Sequence, residues 1–347
     1  MNATVKTNAP NKSAVKLIEA SKLTTAENYT EKDDYILVLA KDHFGIEELD
    51  PKFVVPVFKA LTQHRAALNK DYVPNPAILE TALKLLIQPN SSLGLCLMGE
   101  SGSGKTEMAM YISHMLNWPL TIKQFNSNIR ADELEGERSL IDGNTGFVYS
   151  DLLEGFRNGH IILLDEVDKI DPDTAAKLHM PLERKPWSIG ANGGEVVSPH
   201  KFTRFIGTAN TNMSGGDRRY VSSQRQDAAF IKRFLILKMK KPTEVTFAKV
   251  LSKHFPELQM GVVGMFVGVA MAINASGNDE AIMDMRQLVS WVRTSLTLIN
   301  MPLVDTFDIA FSSSLPEHVS DIAMEAIDQK LADKKHDALE KFISKKS

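Results

Sequence analysis

"LGLCLMGESGSGKTEMAMYI", Leu93 to Ile112, passes from an apolar run through a glycine-rich turn into a helix-like pattern. Inside it, Gly99-Glu100-Ser101-Gly102-Ser103-Gly104-Lys105-Thr106 has the spacing G-x-x-x-x-G-K-[ST]. A strand-like run before it and a helix-like run after it are the context that spacing requires. The glycines let consecutive backbone N–H groups curl around phosphate oxygens, and a helix N-terminus adds partial positive charge. Lys105 is then expected to reach the β- and γ-phosphates of ATP, and the Thr106 hydroxyl to face Mg²⁺. Spacing and context together favour phosphate binding over an ordinary Gly/Ser turn.

Bulk composition sets wide bounds around this motif. The chain has 347 residues, 43% hydrophobic and 24% charged, with a formal net charge of −3. That is enough for one large or two modest domains and gives no global basic field for nucleic acid or anionic lipid. The single cysteine, Cys96, sits in an apolar strand-like run and cannot form an intrachain disulfide, which suits a reducing compartment. The N-terminus is polar, without the apolar core of a secretory signal. The longest apolar run, Met260 to Ile273, is interrupted by Gly261, Gly264 and Gly268 and is shorter than the roughly 20 residues a bilayer needs. A buried helix, no membrane partner and a cytoplasmic location are expected.

Composition shifts along the chain suggest three regions. Residues 1–70 read as an N-terminal extension, with a flexible polar arm up to about Asp34 and a small accessory element from Tyr35 to Leu68. In 71–241 short apolar runs alternate with helical patterns: "LGLCLMG", "HIILLDE", "FTRFIGTAN" and "FLILKM" each resemble a buried parallel strand, so an α/β domain with a parallel sheet is expected. In 242–347 helical periodicity dominates, predicting a smaller helical domain and a lysine-rich tail.

The second and third strands carry chemistry. "HIILLDEVDKID" ends four apolar residues on Asp165-Glu166, delivering two carboxylates at the C-terminal end of a strand, where open α/β sheets hold their ligands. Asp165 can hold the Mg²⁺ shell and Glu166 can polarise a water for attack on the γ-phosphate. "FTRFIGTAN" places Asn210 at its end, able to orient that water. "DAAFIKRFLILKM" sets Arg233 before another strand, and "DMRQLVSWVRT" sets Arg286 in a helix of the third region. Taken singly, each arginine would be read as a surface residue.

The order of these pieces resembles an AAA+ ATPase from about Tyr72 to Leu298. The resemblance implies a P-loop NTPase core with a helical lid, ATP and Mg²⁺ as cofactors, and hydrolysis in a ring, expected to be a hexamer. By matched position, Asp165-Glu166 would be the Walker B pair, Asn210 sensor 1, Arg233 a finger inserted into a neighbour's site, and Arg286 sensor 2 on the lid. The stretch "ADELEGERSLIDGNTGFVYSDLLEGFRNG", continuing through "GGEVVSPHKF", looks like the MoxR branch, most of all its CobS-like cobaltochelatase ATPase subunits and CbbQ/NorQ-type activators. Relatives there carry a β-hairpin in this segment, and on it Phe147 and Tyr149 would either grip a polypeptide in a central channel or pack on their own domain.

The chain lacks a GAFTGA-type loop, which argues against transcriptional activation, and carries no von Willebrand-type module. Such a module is expected on a separate partner protein. Three other readings stay open: a chelatase subunit, a nucleotide-dependent scaffold with little turnover, and a nucleic-acid remodeller, the last not favoured because Lys238, Lys240 and Lys241 read as a solvated rim. His160, His179 and His200 show no ligand-like pairing and are expected to be structural.

Overall fold

The computed structural model describes residues 35–59, 64–88, 93–141, 144–213, 215, 222–278 and 280–343. The arm expected up to Asp34 lies outside them. The chain divides into two compact units. The first takes residues through Asn69, Pro74–Gly99 and Gly104–Met239; the second takes Lys70–Val73, Glu100–Ser103 and Lys240 onward.

The first unit opens with two strands, β1 (Tyr35–Leu39) and β2 (Val54–Phe58), paired antiparallel. Its centre is a parallel sheet of β3 (Gly94–Met98), β4 (Leu120–Gln124), β7 (Ile161–Asp165), β10 (Arg204–Ala209) and β11 (Phe234–Lys238), in the order β11-β3-β10-β7-β4. Every neighbouring pair in it is parallel. In such a sheet both faces are covered, so the strands are continuous apolar runs. Ile161 to Leu164 of β7 are all fully buried, each contributing about 1.5–3 kcal/mol relative to exposure.

Two small antiparallel hairpins complete this unit: β5 (Gly136–Ile141) with β6 (Asn144–Tyr149), and β8 (Trp187–Ile189) with β9 (Glu195–Val197). The Arg138 guanidinium donates to the Ala191 carbonyl, and the Tyr149 hydroxyl donates to the Glu195 carboxylate at 2.7 Å, so the hairpins are tied to each other. Phe147 and Tyr149 lie edge to face, 5.5 Å apart, and pack against the unit's own core. Of the two alternatives for these rings, packing on their own domain is the one present. Among the described residues, the large apolar side chains that the first hairpin exposes are Leu140 and Val148, 77% and 45% exposed.

At the other end of the sheet, His160 and His200 are buried, which pushes both imidazoles down to about 4, and the Thr121 hydroxyl is hydrogen-bonded to His160 Nδ1. Cys96 is buried in β3, and burial pushes its thiol up to about 12, an unreactive state.

In the second unit, helices Glu244–His254, Met260–Ala275, Met285–Thr297, Leu303–Ala310 and Glu317–Leu331 share one core. Trp291 is its centre: fully buried, edge to face with Phe266 and Phe307 at 4.6 and 4.9 Å, its indole N–H donated to Thr306. The Met260–Ala275 helix buries Val263, Phe266, Val267, Ala270 and Ile273, spaced to line one face. Among the described residues no helix is long and apolar enough to cross a membrane.

Candidate active site

Because the sheet is parallel and in register, the ends of its strands converge. Ala209 pairs with Met98 and Gln124 with Asp165, so β3, β4, β7 and β10 release their next residues at one edge. After β3, the Gly99 N–H still bonds the Ala209 carbonyl, and the helix Lys105–Leu116 starts from Gly104, whose φ of +82° only glycine adopts without strain.

Lys105 occupies the first helical position and is only 7% exposed. Its ammonium donates to the Gly99 carbonyl and to Asn210 Oδ1, both at 2.8 Å. Burial lowers its pKa, and the charges of Asp168 and Asp165 oppose that shift. Thr106 donates its hydroxyl to Asp165 Oδ1 at 2.9 Å. The same oxygen accepts the Thr208 hydroxyl at 2.5 Å, while Thr208 accepts the Glu166 N–H at 3.0 Å. One β10 hydroxyl therefore fixes both carboxylate residues.

Glu166 has φ +60° and ψ 47°, a left-handed conformation costing a non-glycine residue about 1–2 kcal/mol. That turn brings its carboxylate between the Lys169 ammonium, 2.8 Å away, and the Gln124 amide at 3.2 Å. The strain is of the kind that collects at functional sites.

In the second unit, Glu100–Ser103 lies with the C-terminal helices. Gly102 has φ +71°, and a Cβ there would stand 2.6 Å from the Asp284 carboxylate. Asp284 caps the helix Met285–Thr297, accepting from the Gln287 N–H while the Gln287 side chain accepts from the Asp284 N–H, both at 2.9 Å. Beside this contact is a cavity of about 220 Å³, lined by Ser101, Phe247, Met271, Asn274, Met283 and Asp284, large enough for a flat heteroaromatic base. Gly102→Ala is expected to destabilise the protein by about 1–2 kcal/mol through its left-handed backbone, with a further cost from the Asp284 contact. Thermal unfolding measures the total, and adding Asp284→Gly, which removes the Asp284 Cβ as well as its carboxylate, should relieve the contact but not the backbone strain, at a few tenths of a kcal/mol for the changed cap.

The residues expected from sequence separate into groups. Lys105, Thr106, Asp165, Glu166 and Asn210 meet at the carboxyl ends of the strands. Arg233 does not join them: its carbonyl accepts the Gly94 N–H at the amino end of β3, about 16 Å of strand away from Gly99. There its guanidinium pairs with Glu183 at 2.9 Å and donates to the His179 and Ala229 carbonyls. Arg286 is exposed in the first turn of the Met285–Thr297 helix, in the second unit. Sequence reasoning passed over Thr208, Gln124, Lys169 and Asp168. "GTAN" and "DEVDK" place Thr208 and Asp168 two or three residues from singled-out positions, which is the only signal for them.

The donor set at the strand ends suits a nucleoside triphosphate with Mg²⁺: a buried ammonium, a helix entered from a left-handed glycine, and a hydroxyl bonded to a carboxylate. The α/β fold, with its five-stranded parallel sheet and C-terminal helices, is that of an AAA+ P-loop NTPase. Residues 94–234 match the AAA domain of the dynein-related subfamily. The chain is 24% identical over 161 residues to an uncharacterized protein of Staphylococcus epidermidis, covering 45% of this chain and 58% of that protein. It is 23% identical over 176 residues to another from Staphylococcus saprophyticus, covering 49% and 64%. Alignment to the aerobic cobaltochelatase subunit CobS of a Sinorhizobium species runs further, 24% identical over 274 residues, 74% of this chain and 80% of that subunit.

Proposed function

We propose that the protein is an ATP-hydrolysing AAA+ ring ATPase of the MoxR/CobS-like kind that remodels or activates a partner protein. The observation that carries this is the meeting of Lys105, Thr106, Asp165, Glu166 and Asn210 at one sheet edge. The loop from Gly99 through Glu100, Ser101, Gly102, Ser103 and Gly104 cradles the phosphates with its N–H groups. Lys105 leaves the Gly99 carbonyl for phosphate oxygen. Thr106 and Asp165 hold Mg²⁺, which when bound offsets the negative charge of the β- and γ-phosphates.

Glu166, once released from Lys169 and Gln124, accepts a proton from water that the Asn210 amide orients. Attack on the γ-phosphorus breaks its bond to the bridging oxygen, giving ADP and phosphate. Arg286 from the lid helix and Arg233 from a neighbouring subunit neutralise the charge that develops. The ring is proposed as a hexamer in the cytoplasm, working with a separate partner that bears a von Willebrand-type module.

Steady-state phosphate release, with and without candidate partners, tests the reading. Sustained turnover supports a motor, whereas tight ATP binding with none supports a scaffold. Lys105→Ala is expected to raise the ATP dissociation constant at least about tenfold, equal to about 1.4 kcal/mol. An unchanged constant by calorimetry would remove the phosphate role. The long alignment to the cobaltochelatase subunit favours a second reading, an ATPase subunit driving metal insertion into a tetrapyrrole. Affinity capture with an ATP-locked variant distinguishes the two by whether a large chelatase subunit is recovered.

A further inference from the structure

We infer that Asp168 is a positioning residue of the ATP site: its carboxylate anchors the turn after β10 so that the Asn210 amide is held against Lys105. This deepens the ATPase reading and rests on it. Asp168 lies in the short turn Val167–Lys169 that follows the two strand-end carboxylates, and it is completely buried. Its Oδ2 accepts the N–H groups of Asn210 and Thr211 at 3.2 and 3.1 Å, the Thr211 hydroxyl at 3.0 Å and the Ser223 hydroxyl at 3.4 Å. Its carbonyl accepts the Gln224 N–H at 2.7 Å. A single residue thus ties the turn after β7 to both ends of the segment running from Asn210 to Gln224.

The chemistry explains why an acid stands here. A fully buried carboxylate costs several kcal/mol unless donors converge on it, and four donors converge on this one oxygen. The other oxygen, Oδ1, is buried and has no hydrogen-bond partner among the described residues. The result is a backbone fixed at Asn210 itself, one bond from the side chain whose Oδ1 meets the Lys105 ammonium at 2.8 Å. Water orientation is steeply sensitive to such placement, since an error near 1 Å costs on the order of 100-fold in rate.

The test is a kinetic cycle of Asp168→Ala, Asn210→Ala and the double variant, with amide hydrogen exchange on each. Asp168→Ala should lower kcat about 10–100-fold while KM for ATP moves less than about threefold. In the Asn210→Ala background the same change should cost almost nothing further, because it acts through Asn210. Losses that multiply, or an unaltered kcat in Asp168→Ala, would overturn the inference. If Asp168→Ala does not fold, Asp168→Asn carries the same cycle, its amide oxygen able to replace part of the anchoring. A wild-type protein that neither binds nor hydrolyses ATP would sink the ATPase reading. Exchange would still decide the anchoring: Asn210 and Thr211 amides should exchange faster in either Asp168 variant, and unchanged protection refutes it.

Discussion

Glu166→Gln is expected to bind ATP with a dissociation constant close to wild type and to hydrolyse it about 10²–10⁴-fold more slowly, the range for loss of a positioned general base. The substitution keeps length and shape but removes the oxygen charge that would take the proton from water. It also weakens the 2.8 Å contact with Lys169. The two functions should separate because the phosphate and Mg²⁺ contacts proposed for Lys105, Thr106 and Asp165, which bond Gly99 and one another, do not involve Glu166. Calorimetric titration reports the first quantity and single-turnover phosphate release the second. Turnover at the wild-type rate would remove Glu166 from the chemistry and point to another base.

Arg233→Ala is expected to leave ATP binding intact and to cut hydrolysis by about 10³–10⁵, the effect of a finger supplied in trans in related phosphoryl transfers. Arg233 is tied to Glu183 at the amino end of the strands, while Lys105 and Glu166 stand at the carboxyl end, so it cannot serve its own site. The proposed recipient is the site of a neighbouring subunit. A fall in activity alone would not prove this, since Arg233 also bonds two carbonyls of its own unit. Mixing decides it: Glu166→Gln and Arg233→Ala subunits, each nearly inactive, should recover turnover together, as some interfaces then join an intact Glu166 to an intact Arg233. Verified mixed assemblies as inactive as either parent would refute the finger.

What sequence showed of this molecule follows from where information is local. The G-x-x-x-x-G-K-[ST] spacing and the Asp-Glu strand end are contiguous words, and the four apolar runs singled out as strands are β3, β7, β10 and β11. The fifth, β4, was missed because it is an edge strand: Thr121, Lys123 and Gln124 interrupt its apolar pattern, and Ile122 is exposed. Thr208, Gln124 and Asp168 were illegible for a different reason. Beyond the nearness of Thr208 and Asp168 to Asn210 and Glu166, nothing in their own neighbourhood marks them; Thr208 and Gln124 matter because parallel register sets Thr208 beside Asp165 and Gln124 opposite it. Nor does the motif reveal that its own loop is divided, with Glu100–Ser103 grouped with the C-terminal helices and Lys105 with the sheet.

The strand order also sets a timetable for synthesis. β3, the run that leads into the glycine-rich loop, has β10 and β11 as its sheet neighbours among the described residues, and both lie more than about 100 residues downstream. At about 5–20 residues per second, a ribosome needs roughly 5–20 s to deliver the first of them. Through that interval Leu95, Cys96 and Leu97 have no sheet partner on either side. An apolar strand left waiting is an aggregation hazard, so a nascent chain stalled before residue 204 should be a chaperone client, and one released after Lys238 should not.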